Sequence, residues 1–196
     1  MLSSLKDLYG RIFINHAKTP LPTPESRRKK APIAKGITLL EPEDISWVVS
    51  EIINESGHGH FNKQFLLPVT HDNLRKQIFT TIDKGYFDLE GERINAAIFG
   101  KYINGKIVGF MWVQQTTQLE YEIAMMGVDR QYRRQGIATE FMSKVLEDIV
   151  PVTGKSVAKI SLYTASQNML TLVRSVGFKK AKNQPEKQRT LLVRTV

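Results

Sequence analysis

The feature that most constrains the fold is a change of hydrophobic period near residue 94. From there, three stretches alternate in the manner of strands: Ile94–Ile103, Lys106–Gln115 and Leu119–Val128. Asn104-Gly105 separates the first two stretches, and this pair is typical of a two-residue hairpin turn. The sequence therefore predicts three consecutive antiparallel strands in the middle of the chain.

Helical spacing of apolar residues lies on both sides of these strands. Ile45, Val48, Val49 and Ile52 follow the period of one helix face, and Gly57 marks its end. The other predicted helices are Asp72–Lys84, Gly136–Val150 and Met169–Val176, and the other predicted strands are Ile37–Leu40, Lys159–Thr164 and Arg189–Thr195. The succession of strand, helix and strand up to Thr164 predicts one right-handed parallel crossover, so the fold class is mixed α/β (α+β).

Positive charge is concentrated at the two ends of the chain. The net charge is +9 over 196 residues, with +6 in residues 1–35, +5 in residues 179–196 and −2 between them. Within 1–35, prolines alternate from Pro20 to Pro24, which disfavours a helix, and only Leu2–Ile14 has an amphipathic pattern. We predict a basic N-terminal extension over 1–35, either a solvated tail or a docking arm for an acidic partner (protein or RNA), and a domain over 36–196.

Several classes of protein and site are excluded by composition. The chain has no cysteine, so it has no disulfide, thiolate zinc site or cysteine nucleophile. The longest apolar run, Ile107–Val113, is too short to cross a bilayer. Charged residues near the start interrupt any secretory signal, so we expect a cytoplasmic protein. His58, His60 and His71 are not in ligand spacing with nearby acids, so we expect no metal.

The segment from Val128 to Ala138 is the most informative about function. A strand ends, a basic loop follows, and Gly136 and Ala138 begin a helix. Free N–H groups at a helix N-terminus bind anions, and Arg130, Arg133 and Arg134 would add positive charge. The spacing matches neither dinucleotide-binding nor triphosphate-binding loops. These residues alone leave open a merely solvated basic turn.

Arg133-Arg134-Gln135-Gly136-Ile137-Ala138 resembles the [RQ]-x-x-G-x-[GA] signature of the GNAT superfamily of acyl-CoA N-acyltransferases. The motif follows the valine that ends the family's fourth strand, and Gly177-Phe178 is similar to the pair that closes the family's last helix. The resemblance covers about residues 36–196. It implies a mostly antiparallel sheet of about six to seven strands, flanked by four helices, and acetyl-CoA as co-substrate without a metal.

The resemblance also implies the cofactor-binding residues. Met126 and Val128 would contact the pantetheine and thioester, and Gly127 is the expected position of the family's β-bulge. The phosphates would lie on the loop and first helical turn formed by Arg133, Arg134, Gln135, Gly136, Ile137, Ala138 and Thr139. The asparagine found early in the family's last helix is out of step here, because Ser166 takes its position and Asn168 lies two residues later.

Glu120 and Glu122 are the candidate general bases. They lie two residues apart on one strand and therefore on one face. Glu122 is six residues before Val128, where several GNAT enzymes have a base; ordinary polar positions on an exposed face remain the alternative. The family's general-acid tyrosine falls at Val173, which cannot donate a proton, and Tyr163 is a weak substitute.

The function expected from this resemblance is transfer of an acetyl group from acetyl-CoA to a primary amine, by direct attack in a ternary complex. The slightly acidic body suits a cationic acceptor such as a lysine side chain, a protein N-terminus or a small amine. The basic ends suit RNA, so acylation of an aminoacyl-tRNA is the alternative reaction. A non-catalytic acyl-CoA-binding or docking module is a third interpretation, and a homodimer is left open.

Overall fold

A computed structural model describes residues 36–117, 120–153, 159–164, 166–183 and 190–195. The predicted extension 1–35, with its short amphipathic segment, lies outside these residues. The helices are α1 (Ile45–Gly57), α2 (His71–Lys84), α3 (Ile137–Thr153) and α4 (Gln167–Ser175). The strands are β1 (Ile37–Leu39), β2 (Tyr86–Leu89), β3 (Glu92–Ile103), β4 (Lys106–Thr117), β5 (Glu120–Val128), β6 (Lys159–Thr164), β7 (Lys179–Lys180) and β8 (Thr190–Thr195).

The strands form one sheet in the order β1-β3-β4-β5-β6-β8-β7, and β2 pairs with the first residues of β3, Glu92–Asn95. All pairs are antiparallel except β5 with β6, which α3 connects. The predicted fold class, the four helices and the single parallel crossover are thus confirmed. The described part of the chain has eight strands, whereas the resemblance implied about six to seven. The sequence did not predict β2 and β7, because they are too short to show an alternating pattern.

The central hairpin forms as the sequence predicts. Ile103 pairs with Lys106, and the two residues between them both have positive φ, 50° for Asn104 and 75° for Gly105. This is the geometry of a type I′ turn, which matches the twist of the flanking strands. The hairpin fixes the register of β3 and β4, and β4 in turn fixes that of β5.

Each face of the sheet has its own hydrophobic core. One core lies under α1 and α2 and includes Val48, Ile52, Leu74, Ile78, Phe110 and Trp112. The other lies under α3 and α4 and includes Met111, Val113, Phe141, Leu146 and Val173. Alternate residues of β4 thus face opposite cores, as the period of a strand requires. The candidate site lies on β5, the strand next to β4.

Candidate active site

The strands β5 and β6 separate part-way along their length. Their register pairs Glu120, Tyr121 and Glu122 with Lys159, Ile160 and Ser161, and no further pairs join the two strands within the described residues. β5 continues beside β4 as far as Val128. Residues Ile123–Val128 therefore have one side without a neighbouring strand, and we call this side the open edge.

A β-bulge lies where the strands separate. Trp112 pairs with Met125 and Val113 with Ile123, so Ala124 is the extra residue on β5. The bulge shifts the alternation by one, which allows Tyr121, Ile123, Met126 and Val128 all to face the α3/α4 core. The sequence placed the bulge at Gly127, and this was wrong.

Gly127 has a different structural role. It pairs directly with Phe110, and a Cβ atom at residue 127 would lie 2.6 Å from Cε1 of that ring. Phe110 is fully buried and cannot easily give way. The glycine is therefore required by close packing between β4 and β5 rather than by a bulge.

Two residues of the open edge direct backbone groups away from β4. The Asp129 N–H donates to the Val108 carbonyl at 2.8 Å, and Val128 pairs with Gly109. Because bonding direction alternates along an antiparallel pair, Met126 and Val128 direct their N–H and C=O groups away from β4. These are the two residues that the family resemblance assigned to the pantetheine.

The β5–α3 loop (residues 129–136) connects the end of the open edge to the N-terminus of α3. Asp129 caps a short 3₁₀ turn by accepting from the Gln131 N–H at 2.9 Å. Arg134 and Gly136 have positive φ values of 63° and 77°. The first backbone bond of α3 runs from the Glu140 N–H to the Gly136 carbonyl at 3.0 Å. The N–H groups that precede residue 140 at the start of α3 therefore have no partner inside the helix.

Exposure around this N-terminus is uneven. The residues Arg134, Gln135, Gly136 and Thr139 are exposed, Ala138 is half-buried, and Ile137 is part of the α3/α4 core. A Cβ atom built at Gly136 would meet no atom within 4 Å, so the space beside it is empty. The buried Lys101 of β3 donates to Glu140 at 3.1 Å and ties the first turn of α3 to the sheet. The loop thus presents backbone N–H groups and Arg134 to an accessible space.

The side chain of Arg133 does not join this anion site, contrary to the prediction. Its Nε donates to the Val128 carbonyl at 2.7 Å, and the guanidinium contacts Glu55 at 2.8 Å and Glu51 at 3.3 Å. Both carboxylates belong to α1. Neither carboxylate was among the predicted site residues, although Glu55 lies three residues after Ile52 on the apolar face of that helix.

The surroundings of the two carboxylates shift their pKa values in opposite directions. Burial, and then the charge of Glu55, raises the pKa of Glu51, which Arg133 opposes only in part. Burial also raises the pKa of Glu55, but hydrogen bonds from Arg133 and His60 outweigh it, so the net pKa lies below the usual value of a glutamate. Glu55 therefore stays ionised while Glu51 holds its proton more readily.

Glu122 lies at the point where β5 and β6 separate. It is the last β5 residue paired with β6, and on its other side it pairs with Gln114. Tyr121 and Ile123 face the α3/α4 core, so Glu120 and Glu122 lie on the α1/α2 face, where both are half-buried. The open edge begins one residue after Glu122.

The remaining predicted residues lie on β6 and α4. Tyr163 is on β6, and its side chain is outside the described part of the structure. Ser166 caps α4 by accepting from the Met169 N–H at 3.4 Å, whereas Asn168 is exposed. Val173 is fully buried in the α3/α4 core. Hence the structure provides no proton donor at the position of the family's tyrosine.

The described ranges contain neither a metal-binding cluster nor a membrane-spanning helix. No group of three or more histidine, aspartate or glutamate side chains there is arranged to hold a metal ion. None of the helices in those ranges is both long and apolar enough to cross a membrane.

Comparison with known proteins agrees with this architecture. The model of the acetyltransferase (GNAT) family matches residues 66–173, which is more than half of the chain. This chain therefore belongs to the GNAT family of acyl-CoA N-acyltransferases. A search of curated protein sequences finds no match.

Solved structures show the same fold at low sequence identity. A GNAT-family acetyltransferase from Streptococcus pneumoniae is 14% identical, with a TM-score of 0.59 over 82% of this chain and 98% of its own. The PaiA N-acetyltransferase from Thermoplasma acidophilum, in complex with coenzyme A, gives the same four values. YncA from Salmonella typhimurium, determined with its cofactor acetyl-CoA, is 16% identical, with a TM-score of 0.61 over 81% of this chain and 91% of its own. The predicted family and fold are confirmed.

Proposed function

We propose that this protein transfers an acetyl group from acetyl-CoA to a primary amine in a ternary complex. The observation that carries the proposal is the open edge, which begins next to Glu122 and leads through the β5–α3 loop to the N-terminus of α3. A cofactor with amide groups, a thioester and a pyrophosphate matches this arrangement, because the open edge offers backbone groups to the amides and the start of α3 offers N–H groups to the pyrophosphate. PaiA and YncA, which share the fold, were determined with coenzyme A and acetyl-CoA.

The pantetheine arm would add to β5 as a short extra strand. Met126 offers an N–H and a C=O at the open edge, and Val128 offers its N–H, since Arg133 occupies its carbonyl. The pyrophosphate would accept hydrogen bonds from the free N–H groups that begin α3, helped by the charge of Arg134. The function of Arg133 is then to orient Val128, not to bind phosphate.

The chemistry follows from this placement. The amine nitrogen attacks the thioester carbonyl carbon, a backbone N–H of β5 near Val128 stabilises the negative oxygen, and the thiolate of coenzyme A leaves. An amine attacks only when neutral, so a carboxylate at Glu122 would take its proton directly or through water. Tyr163 stays the candidate that returns a proton to the thiolate.

A cationic amine is the acceptor that the charges favour. Glu120 and Glu122 lie half-buried on the α1/α2 face, and the net charge of residues 36–178 is −2. Such a field attracts ammonium groups and repels the phosphates of a tRNA. We therefore rank a lysine side chain, a protein N-terminus or a small amine above an aminoacyl-tRNA. The cytoplasmic location, the acidic partner of the basic ends and a homodimer remain predictions.

The test is turnover of acetyl-CoA with panels of small amines, peptides and charged tRNAs, read as free thiol and product mass. We expect thiol release that depends on a cationic amine. Binding of coenzyme A without turnover of any amine would instead favour the acyl-CoA-binding module, which the buried Val173 makes a real alternative. A folded protein that binds no coenzyme A in calorimetry would refute the proposal.

A further inference from the structure

A continuous chain of polar contacts leads from the open edge into α1. Arg133 holds the Val128 carbonyl with its Nε and reaches Oε1 of Glu55 with its guanidinium at 2.8 Å. The other carboxylate oxygen of Glu55 contacts Nδ1 of His60 at 2.5 Å. Glu55 is only 5% exposed, so the contacts it makes are shielded from water.

The chain of contacts ends in the segment that joins α1 to α2, residues 58–70. The backbone N–H of His60 also donates to the Glu55 carbonyl at 2.9 Å. A second contact joins Arg130 of the β5–α3 loop to Nε2 of His58 at 3.5 Å. Two residues of the loop before α3 are thus tied, directly or through Glu55, to the first residues of this segment.

The α1–α2 segment lies on the same sheet face as Glu122. Its Phe61 ring packs 6.2 Å from Phe110, measured between centroids. Phe110 in turn fills the space beside Gly127 that a side chain would occupy. With Glu122 as the base, as proposed above, the acceptor amine would bind on this same face of the sheet.

We propose that Glu55 is a positioning residue that couples the β5–α3 loop to the α1–α2 segment, so that binding of coenzyme A orders the acceptor side. This inference rests on the proposed function. A ligand on Val128 and on the α3 N-terminus fixes the backbone on both sides of Arg133. A fixed guanidinium holds Glu55, and Glu55 holds His60. Coenzyme A and acceptor then favour each other's binding, by about five- to tenfold.

Hydrogen exchange with and without coenzyme A tests the coupling directly. In the wild type, we expect coenzyme A to slow exchange in residues 130–139 and also in residues 58–70. In Glu55→Gln and His60→Ala, protection of 130–139 should persist while protection of 58–70 is lost. His60 is 43% exposed in its side chain, so His60→Ala removes the contact with Glu55 without disturbing a buried group. Glu43→Gln, which replaces an exposed carboxylate before α1, is the matched control and should behave as the wild type.

Steady-state kinetics give a second measurement. Both variants should raise the KM for the acceptor about five- to tenfold at saturating acetyl-CoA, with kcat little changed. Equal protection of 58–70 in the wild type and both variants would overturn the coupling, and so would a wild type protected only at 130–139. If coenzyme A does not bind the folded wild type at all, the proposed function fails first.

Discussion

Replacing Gly136 by alanine tests the anion site, and the structure indicates how much folding stability the substitution removes. Gly136 has a φ of 77°, and an added Cβ would meet no protein atom within 4 Å. The expected loss of stability is therefore the backbone cost of a left-handed L-residue, about 1–2 kcal/mol. In a chain of this size that loss lowers Tm by about 2–8 °C. The methyl group also enters the space where the pyrophosphate would lie, so affinity for coenzyme A should fall at least about tenfold.

Gly91→Ala separates the two effects. Gly91 has a φ of 85° in the turn between β2 and β3, and a Cβ there would also meet no atom within 4 Å. Both variants should therefore lose similar stability in thermal unfolding, whereas only Gly136→Ala should lose affinity in calorimetry. If Gly136→Ala binds coenzyme A as tightly as Gly91→Ala does, the pyrophosphate does not lie on this loop.

Three further predictions concern the base, the acidic pair and the extension. Glu122→Gln should lower kcat by about 10²- to 10⁴-fold with little change in affinity for acetyl-CoA. Glu122 is excluded as the base if its kcat falls less than about threefold, or if the control Glu120→Gln loses more activity than Glu122→Gln does. The raised pKa of Glu51 means that the wild type loses stability as pH rises from the ordinary glutamate range through that pKa. Denaturant unfolding over a pH series should therefore show that the free energy of unfolding of Glu51→Gln increases relative to that of the wild type as pH rises. A difference in free energy that stays constant with pH would contradict this. Deleting residues 1–30 should leave turnover of a small amine unchanged while weakening a salt-sensitive contact with an acidic partner, and a truncated chain that fails to fold would show that the extension belongs to the domain.

The long elements could be predicted because periodicity is a local property of the chain. β3 and β4 each have 12 residues, and the hairpin between them has a turn pair with its own geometry. β2 and β7 have four and two residues, too few to show a period, and they exist because a neighbouring strand offers them hydrogen bonds.

The bulge on β5 was visible in the sequence but was read from the wrong residue. Tyr121, Ile123, Met126 and Val128 are spaced by two, three and two, so the apolar face changes parity between Ile123 and Met126. One core can receive all four side chains only if an extra residue lies between them, which Ala124 provides. The bulge was predicted at Gly127 instead, since glycine often marks a bulge. An unbroken apolar face is the stronger constraint because it involves four buried side chains rather than one flexible residue.

Charges in the loop were the least predictable part of the site. A motif specifies the backbone that binds an anion, because N–H groups at a helix start are free whatever the side chains are. It does not specify where a cation in that motif points. Arg133 donates a hydrogen bond to Glu51, which is 82 residues away in sequence. The only hint was Glu55 on an apolar helix face, since a buried carboxylate requires a cation nearby. With 28 lysines and arginines in the chain, that requirement alone could not identify Arg133 as the partner. A cationic side chain in such a loop should therefore be assigned to the ligand only after buried carboxylates have been matched, which here leaves Arg134 and the backbone for the phosphates.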